Sequence, residues 1–128
     1  MTGNLQIWIG RILSGLVVLA LVADAAVNLF WPGVLRATME AEGFPPERAP
    51  IVGVLLLLCA IVYAYPRTAV LGAILITGFF GGAICVHFRT GGFVSPPQII
   101  CLLIAVLAWG GLFLRDPLVR VMLLPLRR

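Results

Sequence analysis

The polar residues of this chain are sparse, and most fall at the ends of long apolar runs. Four runs, at about 5–30, 50–65, 68–89 and 97–114, read as membrane-crossing helices, the second and fourth short enough to stand upright or sit where the membrane thins. A helix advances ~1.5 Å per residue, so about 20 apolar residues cover a hydrocarbon layer of ~30 Å. With no water in that layer, each backbone group must be satisfied within its own segment, which selects helices over isolated strands. Trp8 and Trp31 bracket the first run roughly 34 Å apart, as ring anchors at two interfaces would. Pro32-Gly33 ends that run, Pro50 suits a first helical turn, Pro66 stops the second run, and Pro96-Pro97 opens the fourth.

The connections constrain the arrangement further. Only Tyr65-Pro66-Arg67-Thr68 joins runs two and three, so these are antiparallel neighbours. The connection at 32–49 is longer: "VLRATMEAEG" predicts a short interfacial helix closed by Gly43, and "FPPERAP" an extended segment. The tail "RDPLVRVMLLPLRR" is too poor in apolar residues to span; its four Arg residues suit a helix lying on an anionic surface. No internal repeat or linker interrupts the chain. The expected architecture is all-α: one domain over 1–128, an integral membrane four-helix bundle with an interfacial C-terminal tail.

Composition supports this and sets an orientation. The chain is 62% hydrophobic and 11% charged, against about 25% charged for a soluble domain. Its mean hydropathy is +1.13. All nine basic residues behind the net charge of +4 are Arg, but they flank apolar runs and do not gather on one face, which argues against a nucleic-acid partner. Arg11, Arg67, Arg115, Arg120, Arg127 and Arg128 fall on one side of the membrane, and Arg36, Arg48 and Arg89 on the other. The bias places both termini in the cytoplasm. Glu40, Glu42 and Glu47 then face outward, where acidic residues weigh little. The first run is too long for a cleavable signal and lacks a small-x-small site at its end.

Polar groups within the runs are the candidates for chemistry, because each is costly in hydrocarbon. Asp24 lies in the outer half of the first run, with Asn28 four residues on and on the same helical face. Arg11 is on another face and reaches lipid phosphates. Asp24 is either a structural hydrogen-bonding group or part of a ligand or proton site. His87 stacks over Ala83, Phe80 and Ile76, and is either a helix-end residue satisfied by water or a partner of Asp24 and Asn28 at similar depth. Arg89 is the headgroup or outer-mouth candidate. Gly78, Gly82 and Cys85 share a nearly opposite face, and Gly78-xxx-Gly82 predicts close helix packing. One His and three scattered Cys make no recognisable metal set, and no nucleophile, base and orienting acid come together. Cys59, Cys85 and Cys101 read as small apolar residues with free thiols.

Several stretches resemble the DoxX-like family of small four-helix bacterial membrane proteins. They are "GRILSGL" at 10–16, Asp24, "GF-P" at 43–45, "GVLLLLCAIVYAYPRTAVLGAILITGFFGGA" at 53–83 followed by His87 and Arg89, "WGGLFLRDPLVR" at 109–120, and the closing "LLPLRR". The resemblance implies a four-helix bundle in the cytoplasmic membrane with both termini inside. Some relatives look like membrane subunits of redox systems that handle thiosulfate and quinone, or partners of oxidative-stress enzymes. Two departures stand out. Relatives often carry a basic residue four positions after the first-helix Asp, where this chain has Asn28, and "GFVSPPQ" at 92–98 is expected to reshape the outer mouth.

Two readings follow. In the first, the protein is an accessory or membrane subunit in a redox or oxidative-stress setting. It binds a small apolar or quinone-like molecule, or a lipid, and works with a redox partner protein. In the second, it is a ligand-free scaffold that packs and forms homo-oligomers through glycine-rich faces. An autonomous oxidoreductase using Cys85 and Cys101 is the weakest reading, for want of a catalytic constellation.

Overall fold

A computed structural model of the chain describes residues 2–91 and 96–124. The helices are α1 (Thr2–Phe30), α2 (Pro32–Ala41), α3 (Ala49–Ala64), α4 (Ala69–Gly91), α5 (Pro96–Arg115) and α6 (Pro117–Leu123). Single 3-10 turns at Pro46–Arg48 and Pro66–Thr68 lead into α3 and α4. Four segments, Gly3–Phe30, Pro46–Ala64, Pro66–Arg89 and Pro96–Arg115, are long and apolar enough to cross a membrane. They coincide with the four runs expected from the sequence. Residues 92–95 of the expected outer-mouth feature, and Arg127 and Arg128 of the tail, lie outside the described residues.

Helix α1 packs against α3 and α5, and α4 packs against the same two helices, so α1 and α4 stand at opposite corners of a four-helix bundle. The inward stripe of α1 is Gly10, Ser14, Val17, Leu21, Ala25 and Asn28, and that of α4 is Ala69, Ala73, Ile76 and Phe80. Both follow the three- and four-residue spacing of a helix face. Leu5, Ile12, Leu19, Leu71, Ile74 and Leu103 are among the many large apolar residues on the outside, as a lipid-facing surface requires.

Lipid tails are as apolar as leucine, so close backbone approach and hydrogen bonds, more than apolar burial, hold such helices together. Gly10 and Gly111 are the contact between α1 and α5. A Cβ on Gly10 would lie 2.7 Å from the Gly111 carbonyl oxygen and 2.8 Å from the Arg115 nitrogen. Gly72 of α4 lies directly against the backbone of Tyr63 in α3. The Tyr63 hydroxyl donates to the Ala108 carbonyl at 2.8 Å and lies 2.9 Å from Ser14 Oγ, tying α3 to α5 and α1. Trp109 Nε1 donates to Thr77 Oγ1 at 2.7 Å and joins α5 to α4.

Three expectations are corrected. Gly78 and Gly82 do not pack within the bundle: a Cβ on either would meet no described atom within 4 Å. The inward face of α4 is the one carrying Ile76 and Phe80, so Gly78 looks outward, while Gly82 borders an open cavity beside α2 and α3. The segment after Gly43 is extended only briefly, because Pro46 starts a helical turn that runs into α3. In the tail, α6 presents exposed Leu118, Val121 and Met122, but Arg120 does not reach outward. Its guanidinium donates to the Phe113 and Leu114 carbonyls, and Asp116 caps α6 by accepting from the Leu118 nitrogen at 2.9 Å.

Candidate functional site

Helix α2 ends in a turn that its own sequence dictates. Gly43 has φ 70°, a conformation glycine adopts without Cβ strain. The Phe44 nitrogen donates to the Met39 carbonyl at 2.8 Å and the Gly43 nitrogen to the Glu40 carbonyl at 3.1 Å, the paired bonds of a Schellman cap. The reversal turns Glu42, Phe44 and Met39 towards α3 and α4.

Helix α4 meets them. His87 lies one further turn along the inward stripe that holds Ile76 and Phe80, with partly buried Ala83 between. Its Nδ1 lies 2.5 Å from Glu42 Oε1, and the two side chains are only 20% and 16% exposed. Beside this pair is a cavity of about 370 Å³, lined otherwise by apolar side chains that include Met39, Phe44, Val52, Leu55 and Phe79. Gly82 and Ala83 leave room on the α4 side. The result is an apolar chamber with a hydrogen-bonding pair in its wall. The volume lies within the range of small-molecule sites, roughly 300–1,000 Å³. The ring and the carboxylate together offer a ligand a donor and an acceptor.

Asp24 and Asn28 form a separate unit. Asn28 is 3% exposed, and its Nδ2 donates to the Asp24 carbonyl at 2.8 Å and to Asp24 Oδ1 at 3.1 Å. Asn28 is also pressed against α3, where a Cβ on Gly53 would come within 3.1 Å of it. Thus Asp24 finds its partner one turn along its own helix. Neither residue lines the cavity, and no described hydrogen bond links them to His87. The structure therefore divides the expected trio into two groups.

Arg89 lies at the end of the bundle where α2 turns towards α3, with Nη2 3.1 Å from the place a Cβ of Gly43 would occupy. Cys59, Cys85 and Cys101 are free thiols. Glu42 is the site residue that sequence reasoning passed over. Acidic residues weigh little in setting orientation, and Glu42 is grouped with Glu40 and Glu47 on that ground alone. The clue was the adjacent Gly43, whose capping turn reverses the chain and sends Glu42 back over the bundle.

These features define a small integral membrane helical bundle with an apolar chamber near one end. The profile of the DoxX-like family matches residues 12–111, and the chain belongs to that family. No curated protein and no solved structure matches the chain.

Proposed function

We propose that this DoxX-like membrane protein binds a small, largely apolar molecule carrying a carbonyl or hydroxyl oxygen, such as a quinone, in the chamber beside His87 and Glu42. The observation that carries this reading is the enclosed His87–Glu42 pair in the wall of an otherwise apolar cavity. The apolar walls suit a ring and its tail, and the pair suits the oxygen. In this reading the protein serves as a membrane subunit in a redox or oxidative-stress setting, delivering or holding the molecule for a partner protein. The family resemblance supports that setting.

Detergent-purified protein should carry a lipophilic molecule detectable by mass spectrometry, or take up a short-chain quinone analogue. His87→Gln and Glu42→Gln should each weaken uptake about tenfold, the scale of one hydrogen bond to a charged group. Gly82→Leu should fill the chamber and abolish uptake without a backbone clash. Equal uptake by wild type and Gly82→Leu would reject the chamber as the site.

A second reading, a ligand-free scaffold forming homo-oligomers, is favoured by the outward-facing Gly78, which no described part of the chain covers. Gly78→Leu separates the two. It should disrupt a dimer but leave uptake intact, because Gly78 does not line the chamber.

A further inference from the structure

The opposite end of the bundle, where α1 begins and α5 ends, holds a second polar arrangement that the outer chamber does not involve. Gly10 brings the α1 backbone against Arg115 itself: a Cβ there would lie 2.9 Å from the Arg115 Cβ. Arg11 therefore emerges beside Arg115. The two guanidinium groups wall two adjoining cavities of about 260 and 460 Å³. One cavity runs along Ser14, Val18 and Tyr63, and the other lies under Pro66 and Asp116.

The charges here are not matched. No carboxylate among the described residues lies within ion-pair distance of either arginine; the described ion pairs are Arg36–Glu40 and His87–Glu42. Asp116 is occupied as the cap of α6. The Tyr63 hydroxyl bonds Ala108 and Ser14 and also lies within reach of Arg115, but a neutral hydroxyl leaves the guanidinium charge unmatched. Arg115 instead lies over the Tyr63 ring, 5.7 Å from its centroid, and its Nε is enclosed with no hydrogen-bond partner among the described residues. An enclosed guanidinium donor without an acceptor costs free energy until one arrives. Arg11 is held over Trp8 at 5.8 Å, and Trp8 is an exposed ring of the kind that anchors helices at headgroup level. Both arginines thus sit at the depth of lipid phosphates.

We infer that the cleft between Arg11 and Arg115 is a binding site for a phosphate group, with the phosphate of an anionic lipid as its occupant. Two planar guanidinium forks match the oxygens of a phosphate. The apolar flank formed by Gly15, Val18 and Ala64 continues from the cleft and suits the first carbons of an acyl chain.

The test uses the full-length protein in a neutral detergent, with thermal unfolding and native mass spectrometry as readouts. Phosphatidylglycerol should raise Tm and remain bound through ionisation, and phosphatidylcholine should do so far less. Arg11→Gln, on the exposed side, should fold normally and bind phosphatidylglycerol about tenfold more weakly. Arg115→Lys keeps the charge but loses the fork and the Nε donor, so it should also weaken binding. Arg36→Gln, at the other end of the bundle, should have no effect. Inorganic phosphate at millimolar concentration distinguishes the sources. A shift with lipid alone identifies a headgroup; an equal shift with inorganic phosphate supports the same site with free phosphate as occupant. Unchanged phosphatidylglycerol binding in both Arg11→Gln and Arg115→Lys overturns the inference.

Discussion

His87 Nδ1 and Glu42 Oε1 lie 2.5 Å apart, so the inward stripe of α4 ends on the C-cap residue of α2. The contact is long-range in sequence and short in space, and it depends on two local facts. One is the helical spacing that carries His87 inward above Ala83. The other is the left-handed Gly43, which turns Glu42 back over the bundle. Neither residue alone marks a site; together they place a polar pair in the wall of an apolar chamber.

If the pair is structural as well as ligand-facing, its two members are energetically coupled. Glu42→Ala and His87→Ala should each destabilise the protein by about 1–3 kcal/mol, the scale of leaving a largely buried polar group unpaired. The double variant should lose less than the sum, because the partner left behind is removed too. Thermal unfolding in detergent checks this, and strict additivity of the two losses would count against coupling.

The glycines should divide sharply by position. Gly10→Val and Gly111→Val drive side-chain atoms into opposing backbone and should prevent stable folding. Gly78→Ala and Gly81→Ala face open space and should hold or slightly raise stability, by up to ~1 kcal/mol from the better helix propensity of alanine. Yield and monodispersity after detergent extraction distinguish the two sets. Similar behaviour of all four variants would contradict the helix contacts described here.

Tyr63→Phe removes a buried hydroxyl that links three helices and leaves Ser14 and the Ala108 carbonyl without it. The expected cost is about 1–2 kcal/mol in unfolding free energy. Ser14→Ala should cost less, since Tyr63 still donates to Ala108. A Tyr63→Phe variant with wild-type stability would show that the network is not a tie.

Asp24 should tolerate removal of its charge. Asp24→Asn retains an oxygen for Asn28, and the bond from Asn28 to the Asp24 carbonyl does not involve the side chain at all. Stability and ligand content should stay close to wild type, whereas His87→Gln should lower ligand content. Loss of ligand, or of its pH dependence, in Asp24→Asn would instead place Asp24 in the binding site.

Orientation is tested independently of any ligand. The Arg bias predicts cytoplasmic termini, so an alkaline phosphatase fused after Arg128 should be inactive and a fluorescent-protein fusion bright. An active phosphatase fusion would reverse the topology.

The sequence by itself determined the segments. Apolar length defines a spanning helix, proline and glycine mark its ends, and Trp8 and Trp31 mark the interfaces. These are local properties, and α1, α3, α4 and α5 coincide with what they predict. Helical spacing also placed Ile76, Phe80 and His87 on one face of α4. What it left open was which face turns inward, because in hydrocarbon a core-facing and a lipid-facing surface are both apolar. Gly78-xxx-Gly82 reads as a packing seam on that basis alone, yet the close contacts belong to Gly10, Gly72 and Gly111, which are recognised only once the opposing backbones are in place. The partner of His87 was equally out of reach. Periodicity reports the direction a side chain takes from its own helix, but only the packing of α2 against the bundle decides that Glu42 is what it meets.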